Sequence, residues 1–379
     1  TVGAALTSDA RIDGVVFTGS TETAQVIRRA MAAKLAPGAP LIAETGGLNA
    51  MIVDSTALPE QAVRDIVASA FQSAGQRCSA LRCLYVQEDV APQMIEMIKG
   101  AMDELSVGNP WHLSTDVGPV IDREARDQIA GYIAAAGNRV LHQLSAPVEG
   151  TFVAPALIQV DGIEALEREV FGPVLHVATF KARELGQVIE TINATGYGLT
   201  FGLHTRIDDR VQQVCDRLHV GNLYVNRNQI GAVVGSQPFG GEGLSGTGPK
   251  AGGPRYLDRF CAPMSQTAQE SWDSATDAAT LQRAISALTV PETPLSKEQL
   301  PGPTGEANTL STHARPPFLC LGPGRETAQA QAKAVEALGG LAVRAEGLLP
   351  PHALKTLTGF GGALWWGGAQ SGRCTAGLD

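Results

Sequence analysis

The amino-acid sequence predicts an α/β fold, and two observations support this. Short apolar runs alternate with longer stretches of helical periodicity from residue 14 onward. The runs at residues 41–43 and 50–53 are continuously apolar, as expected for strands that are covered on both faces. This alternation predicts a mostly parallel sheet covered by helices.

The predicted elements follow one another in a regular order. Residues 14–19 form a short strand that ends in a glycine turn. A helix over residues 21–35 then places Ala24, Ile27, Ala30 and Met31 on its buried face. Next come strands at 41–43 and 50–53, a helix at 59–72, a strand at 82–86, a helix at 92–105 and a strand at 174–178.

The composition changes near Cys261. Residues 261–316 are rich in Ser, Thr, Ala, Pro and Gln, which predicts a linker with one amphipathic helix. A β-α-β region follows, with strands near 318, 341–344 and 363–366 and a helix that ends at 338. The predicted domains are therefore 1–45 for the end of a nucleotide-binding domain, 46–260 for a catalytic domain, 261–316 for the linker and 317–379 for a partial α/β domain.

Bulk properties exclude several classes of function. A net charge of −9 over 379 residues argues against a nucleic-acid partner. No apolar run approaches the ~20 residues that span a bilayer, and the N-terminus lacks a signal-peptide pattern. We expect a cytoplasmic protein without a disulfide framework or metal site, because six cysteines lie scattered without ligand-like spacing at positions 78, 83, 215, 261, 320 and 374. The chain begins without Met and in the middle of an α/β pattern, so we expect a fragment of a longer polypeptide.

Two residues stand out as candidates for chemistry. Glu44 precedes a glycine pair between two apolar strands, and Cys78 lies in the frame Gly-Gln-Arg-Cys-Ser. A thiol and a carboxylate are the pair needed for nucleophilic attack on a carbonyl followed by hydrolysis of the thioester. A lone cysteine is more often a small buried hydrophobic residue, and the other five are given that interpretation. A Cys–His hydrolase is the competing class, but none of the seven histidines lies in a catalytic setting; His176, in an apolar strand, is expected to be structural.

Residues 17–20, Phe-Thr-Gly-Ser, form a candidate phosphate-binding turn between a strand and a helix. Backbone N–H groups and a hydroxyl at a helix start suit a pyrophosphate, although many plain turns have this composition. A second glycine-rich segment, residues 321–324, is interpreted as a strand end only.

Five motifs in this order, made of six segments, resemble the aldehyde dehydrogenase superfamily: residues 17–21, 41–47 paired with 74–80, 169–174, 221–226 and 238–246. The resemblance implies a Rossmann-type cofactor domain, here partial, and an α/β catalytic domain, followed by an additional α/β C-terminal domain. It also implies NAD as cofactor, Cys78 as nucleophile and Glu44 as general base. The residues implied for NAD binding are Thr18, Gly19, Ser20, Thr45, Gly46, Glu169 on the nicotinamide ribose and Phe171 beside the nicotinamide.

Ser79 and the stretch at 225–234 are similar to the glutamate-γ-semialdehyde (Δ1-pyrroline-5-carboxylate) dehydrogenases. That similarity implies that Ser79, Gly231 and Ala232 hold the substrate α-carboxylate and that Phe239 lines its aliphatic part. Consecutive backbone amides with a hydroxyl form a reasonable anion site. In the other interpretation, Gly231 and Ala232 form a plain turn and Phe239 is a core residue.

The chain also resembles the bifunctional bacterial proline utilization A flavoenzymes. This implies an upstream proline dehydrogenase domain on the same polypeptide, which would hold FAD, and a homo-oligomer. Residues 1–260 carry the similarity, and the tail resembles a non-catalytic domain that covers the active-site region. The family's oxyanion asparagine and ribose-binding lysine would precede residue 1, so we expect this segment alone to be inactive. The alternatives are a dehydrogenase for another aldehyde and a non-catalytic scaffold.

Overall fold

A computed structural model describes residues 1–36, 38–261, 268 and 270–368. The described residues form two compact units. One contains Thr1–Val15, Gln25–Pro40 and the described part of Leu257–Asp379, and the other contains Val16–Ala24 and Leu41–Tyr256. Cys374 and parts of the predicted linker and C-terminal domain lie outside the described residues. No helix within the described ranges is both long and apolar enough to cross a membrane.

The strands are numbered in chain order. They are β1 Val15–Thr18, β2 Leu41–Glu44, β3 Ala50–Val53, β4 Cys83–Gln87, β5 Val140–Gln143, β6 Ala156–Gln159, β7 Val174–Phe180, β8 Tyr197–Gly198, β9 Thr200–His204, β10 Asn222–Val225, β11 Glu242–Gly243, β12 Ser296–Leu300, β13 Asn308–Thr312, β14 Phe318–Cys320, β15 Ala342–Arg344 and β16 Gly362–Leu364.

The α-helices are α1 Val2–Leu6, α2 Thr21–Lys34, α3 Pro59–Phe71, α4 Ala91–Asp103, α5 Arg123–Ala136, α6 Leu185–Ala194, α7 Asp208–Arg217, α8 Ala278–Ser286 and α9 Arg325–Ala337. Each strand and helix predicted from the sequence between residues 14 and 178 is present, with bounds that differ by one or two residues at most ends. In α2 the residues Ala24, Ile27 and Met31 are buried as predicted, whereas Ala30 is half-buried.

A seven-stranded sheet organises the larger unit, in the order β10-β9-β3-β4-β7-β6-β5. Every neighbouring pair is parallel except β5 with β6 at one edge. The predicted mostly parallel sheet is therefore confirmed. Parallel strands need crossover connections; α3 lies in the connection from β3 to β4 and α7 in the connection from β9 to β10, whereas residues 160–173 join β6 to β7 without an α-helix.

The sheet separates two apolar cores because side chains alternate between its faces. In β3, Met51 and Val53 pack in the core that contains α3, α4 and α5, while Ala50 and Ile52 pack in the core that contains α6 and α7. Both faces of the strand are buried, which explains why its sequence is apolar throughout and shows no alternation.

The smaller unit contains a three-stranded parallel sheet in the order β15-β14-β16. Leu319 and Val343 pack there with Leu281 and Ile285 of α8. The predicted β-α-β arrangement is thus present in the described part of the tail. Within the predicted linker the structure has α8 and also an antiparallel hairpin of β12 and β13, which the sequence did not indicate. Its strands are mostly exposed and polar, so they lack the apolar pattern on which strand prediction depends.

Candidate active site

The candidate residues gather at the amino edge of the seven-stranded sheet. The loop that carries Cys78 enters β4, the segment from Glu169 enters β7, and Thr200 begins β9. Asn49 lies immediately before β3. Because these strands are neighbours and parallel, their beginnings meet at one edge.

An unusual backbone turn directs the cysteine loop. After α3 ends at Phe71, three successive residues, Ser73, Ala74 and Gly75, have positive φ angles of 57°, 54° and 66°. A Cβ on Gly75 would lie 2.1 Å from the carbonyl oxygen of Gly172. Only glycine therefore fits at position 75. Left-handed conformations at Ser73 and Ala74 are strained and persist where surrounding contacts impose them.

Asn49 holds the loop in place from the neighbouring strand. Its Nδ2 donates to the carbonyl oxygens of Cys78 at 2.7 Å and Ala80 at 2.9 Å. Its Oδ1 accepts a hydrogen bond from the Thr200 backbone N–H at 3.1 Å. One buried amide thus links the cysteine loop to β9 and fixes the backbone from Cys78 to Ala80.

The Cys78 thiol is half-buried, and the charges of two carboxyl groups act on it. Burial raises its pKa, and Glu169 and Glu44 raise it further, while the backbone N–H groups of Ser79 and Cys78 lower it. The balance favours the protonated thiol at rest. Attack on a carbonyl therefore requires that the thiol proton leave first.

Glu44 ends β2 with its carboxyl group enclosed. Oε2 accepts a hydrogen bond from the Gly241 backbone N–H at 2.8 Å, and Oε1 is buried without a partner. Burial raises the pKa of Glu44 to about 7, opposed by the Gly241 hydrogen bond and the positive charge of Lys250. A carboxylate with this pKa and an unoccupied oxygen suits a general base at neutral pH.

Glu169 is held by an arginine that the sequence did not single out. Arg82 is 1% exposed. Its Nη2 lies 2.9 Å and its Nε 3.2 Å from Glu169 Oε1. The same guanidinium donates to the carbonyl oxygens of Gly172 and Arg77, each at 3.2 Å. The other carboxylate oxygen, Oε2, would lie 1.7 Å from a Cβ on Gly46, so Gly46 leaves the space that this oxygen occupies.

The candidate cofactor turn is open to solvent. Thr18, Gly19 and Ser20 are exposed at the end of β1, and the Ser20 hydroxyl accepts a hydrogen bond from the Thr23 N–H at 3.2 Å as the cap of α2. The Gly19 N–H donates to the backbone oxygen of Glu44 at 3.2 Å, which connects the turn to the candidate base.

Two further residues assigned to the cofactor differ in exposure. Thr45 is buried, and its hydroxyl donates to the Leu244 oxygen at 2.6 Å, which commits its donor to the fold. Phe171 is 46% exposed, and the Arg82 guanidinium carbon lies 5.3 Å from its ring centre. An exposed aromatic ring beside the Arg82–Glu169 pair is accessible to a planar ligand.

The residues assigned to the substrate lie on two loops. Ser79 is buried, and its carbonyl oxygen accepts a hydrogen bond from Gln229 Nε2 at 3.3 Å. Gln229 thereby brings the loop of Gly231 and Ala232 to the cysteine loop. Gly231 has a φ of 71° and open space where a side chain would be. Phe239 is half-buried and pairs with Ala251 in an isolated bridge.

Four residues of this site were missed from the sequence: Asn49, Arg82, Gln229 and Lys250. Arg82 and Asn49 had a usable signal, because each is a polar residue beside or inside a continuously apolar strand. Gln229 and Lys250 lie in loops that contain many polar residues, so their sequence positions did not distinguish them.

A model of the aldehyde dehydrogenase family matches residues 1–265. The bifunctional protein PutA of Klebsiella aerogenes is 49% identical over 94% of this chain and 30% of its own length. A crystal structure of a Bradyrhizobium japonicum proline utilization A mutant superimposes with a TM-score of 0.67 and 59% identity, covering 68% of this chain and 27% of that one.

A structure of 1-pyrroline-5-carboxylate dehydrogenase from Thermus with bound NAD has a TM-score of 0.63 and 37% identity, covering 68% of this chain and 51% of that one. The chain thus spans about a third of the length of the PutA relative and about half of the Thermus dehydrogenase.

Proposed function

This chain belongs to the aldehyde dehydrogenase family, and on that premise we propose that it carries the centre for NAD-dependent oxidation of L-glutamate γ-semialdehyde to L-glutamate. The observation that carries the proposal is the setting of Cys78 and Glu44: a half-buried thiol near an enclosed carboxyl with a pKa of about 7. The relatives named proline utilization A and 1-pyrroline-5-carboxylate dehydrogenase support the substrate.

Cys78 is the proposed nucleophile. A planar aldehyde has no hydride ready to leave, whereas the tetrahedral adduct formed by Sγ does. The backbone N–H groups of Cys78 and Ser79 lower the pKa of the thiol, so they favour negative charge beside the sulfur. We propose that the Cys78 N–H also supplies one donor to the oxygen of the adduct, as such donors stabilise the charge that develops there.

Glu44 is the proposed base for the second half of the reaction. The oxidation leaves an acyl thioester on Cys78. Water adds to its carbonyl carbon as Glu44 takes a proton from it; the C–S bond then breaks, the carboxylic acid is released, and Glu44 returns the proton to the departing sulfur, which regenerates the thiol. The unpartnered Oε1 provides the acceptor for that proton.

The residues at the cofactor positions fit NAD. Glu169 Oε1 is held by Arg82 while Oε2 lies against Gly46, a space that any larger residue would fill. This carboxylate is suited to the hydroxyls of the nicotinamide ribose, and the exposed turn of Thr18, Gly19 and Ser20 is suited to the pyrophosphate. When bound, NAD supplies the hydride acceptor.

The substrate carboxylate is proposed to bind at Ser79, Gly231 and Ala232. A hydroxyl and successive backbone N–H groups form a concavity for an anion, and the positive φ of Gly231 is compatible with such a turn. Gln229 supports this arrangement because it joins the two loops through the Ser79 oxygen. Phe239 is proposed to contact the aliphatic part.

The length of the PutA relative supports a further proposal about the polypeptide. We propose that an upstream proline dehydrogenase domain with FAD delivers its product to this centre and that the protein forms a homo-oligomer. In this arrangement the chain performs the second step of proline oxidation in the cytoplasm, and residues 317–379 have no catalytic role.

The test is NADH formation by the full-length protein with Δ1-pyrroline-5-carboxylate, beside propanal. We expect faster turnover of the carboxylate-bearing substrate. Ser79→Ala should weaken that turnover about tenfold or more, as expected for loss of a hydrogen bond to a charged group, while leaving propanal turnover intact. Equal use of both aldehydes would replace the substrate proposal with a dehydrogenase for simple aldehydes, and absence of NADH with either would favour a non-catalytic scaffold.

A further inference from the structure

Gly240 and Gly241, which form the glycine segment, separate Glu44 from Lys250. The Gly241 N–H donates to Glu44 Oε2 at 2.8 Å. A Cβ on Gly240 would lie 3.1 Å from Glu44 Oε1, and one on Gly246 would lie 2.8 Å from the same atom. The carboxyl group of Glu44 therefore lies directly against glycine backbone, with no side chain between them.

Lys250 holds the same segment. Its Nζ donates to the Gly240 oxygen at 3.2 Å, to Asn222 Oδ1 at 3.2 Å and to the Gly221 oxygen. Asn222 Oδ1 also accepts the Gly240 N–H at 3.3 Å. The N–H of Gly240 is thus bound by Asn222 and its oxygen by Lys250. These two hydrogen bonds fix the peptide that precedes Gly241 and so orient the Gly241 N–H.

Glu44 and Lys250 also act on each other through charge. Burial lowers the pKa of Lys250 to about 8, and Glu242 and Glu44 oppose this shift. Burial raises the pKa of Glu44 to about 7, and Lys250 opposes that shift. The exposed Glu242 acts on Lys250, and the charge of Glu44 acts on Cys78; within the described part of the chain these two are the titratable groups coupled to the pair.

We propose that Lys250 is a positioning residue for Glu44: it anchors the glycine segment whose N–H binds the carboxylate, and its positive charge keeps that carboxylate ionised for hydrolysis of acyl-Cys78. The proposal rests on the roles proposed above for Cys78 and Glu44. Lys250 itself does not touch the reacting atoms. It acts on the hydrolytic half of the cycle, since only that half uses the base.

A reaction that needs neither NAD nor the semialdehyde tests this directly. p-Nitrophenyl acetate acylates a thiol: the Cys78 proton passes to solvent, Sγ bonds to the acetyl carbon and p-nitrophenolate leaves. Water then hydrolyses the acetyl thioester with Glu44 as base. The burst of p-nitrophenolate from the full-length protein reports the first step, and the later steady rate reports the second.

In Lys250→Met the steady rate should reach half of its maximum about one pH unit higher than in the unaltered protein, because loss of a nearby opposite charge raises a carboxyl pKa. At pH 7 that shift lowers the steady rate about fivefold, since fewer Glu44 side chains are ionised. The burst should be unchanged. Lys250→Arg should retain the original pH profile, and Lys99→Met, which removes a surface lysine paired with Glu96, should leave both phases unaltered.

An unchanged pH profile in Lys250→Met would overturn the proposal, as would equal slowing of burst and steady rate at every pH, which marks a general structural defect. Should Lys250→Met lose the native circular dichroism spectrum, Lys250→Gln provides the same test, because its amide can still donate to Gly240 but carries no charge. Failure of the semialdehyde assay would leave this assay interpretable, so the two proposals fail separately.

Discussion

The seven-stranded sheet and the three-stranded sheet each have a cysteine and a glycine-rich segment beside them, but they differ in whether nearby buried polar atoms have hydrogen-bond partners. At the amino edge of the seven-stranded sheet, Glu44 Oε1 is buried without a partner. Beside the three-stranded sheet, Glu270 Oε2 accepts hydrogen bonds from both the N–H and the hydroxyl of Thr327, each at 3.0 Å. Gln331 likewise bonds both the N–H and the oxygen of Gly322.

This difference in hydrogen bonding distinguishes the candidate active site around Glu44 from the start of α9, where the polar groups have a structural role. A buried acceptor without a partner is unfavourable for stability and remains available for a proton or ligand. At the start of α9 the carboxylate of Glu270 already occupies the position where a helix N-terminus would bind an external anion, and a Cβ on Gly324 would lie 2.4 Å from it. This contact supports the prediction that residues 321–324 are not a second nucleotide site.

The largest expected effect on activity comes from replacing one cysteine in each of the two regions by alanine and comparing the two variants. Cys78→Ala should abolish NADH formation, because no other group there can form the thioester. Cys320 is the matched control, since it is a buried thiol in the other sheet, with a pKa raised to about 11 by burial. Cys320→Ala should keep full turnover of Δ1-pyrroline-5-carboxylate. Loss of activity in both variants, or in neither, would break the comparison.

Glu44→Gln should lower steady turnover by about 10²–10⁴-fold, the usual contribution of a general base. A pre-steady-state burst of NADH should remain, because formation of the thioester does not use Glu44. In the unaltered protein turnover should fall as pH drops below about 7, where Glu44 becomes protonated. The glutamine variant should lose this pH dependence. Stopped-flow absorbance at several pH values measures both effects, and loss of the burst would assign Glu44 to the first step.

Gly46→Ala should lower kcat/KM for NAD about a hundredfold, as misplacement of a binding group by about 1 Å can do. The added Cβ would meet Glu169 Oε2 and force that carboxylate away from its position beside Arg82. Gly131→Ala is the matched control, since nothing lies within 4 Å of a Cβ at that helical position. Equal NAD kinetics in the two variants would remove Glu169 from the cofactor site.

The smallest effect on activity is expected from Gln331→Leu. It removes the partner of the buried Gly322 N–H and leaves that N–H unsatisfied, while the Gly322 oxygen keeps its hydrogen bond from the Trp366 N–H at 2.9 Å. The free energy of unfolding of the smaller unit should fall by about 2 kcal/mol, measured by urea denaturation. NADH formation below the unfolding transition should be unchanged, and a large loss there would assign a catalytic role to the tail.

Much of this protein could be predicted from its sequence because the signals were local. The order of strands and helices followed from apolar periodicity, and the confirmed parallel sheet followed from that order. Cys78 and Glu44 were singled out by residue type and by their glycine-rich surroundings. The hairpin of β12 and β13 was missed because its strands are mostly polar. Backbone pairing between them forms the hairpin, and their sequences show no apolar pattern that would predict strands.

The sequence by itself determined which chemistry is possible: a thiol, a carboxylate and a strand–turn–helix junction. Only the tertiary structure decided how those groups are tuned. Arg82 meets Glu169, Lys250 faces Glu44 across glycine backbone, and Glu270 fills the start of α9. These contacts join residues far apart in the chain, and the pKa shifts that follow depend on burial and distance, which a linear sequence does not contain.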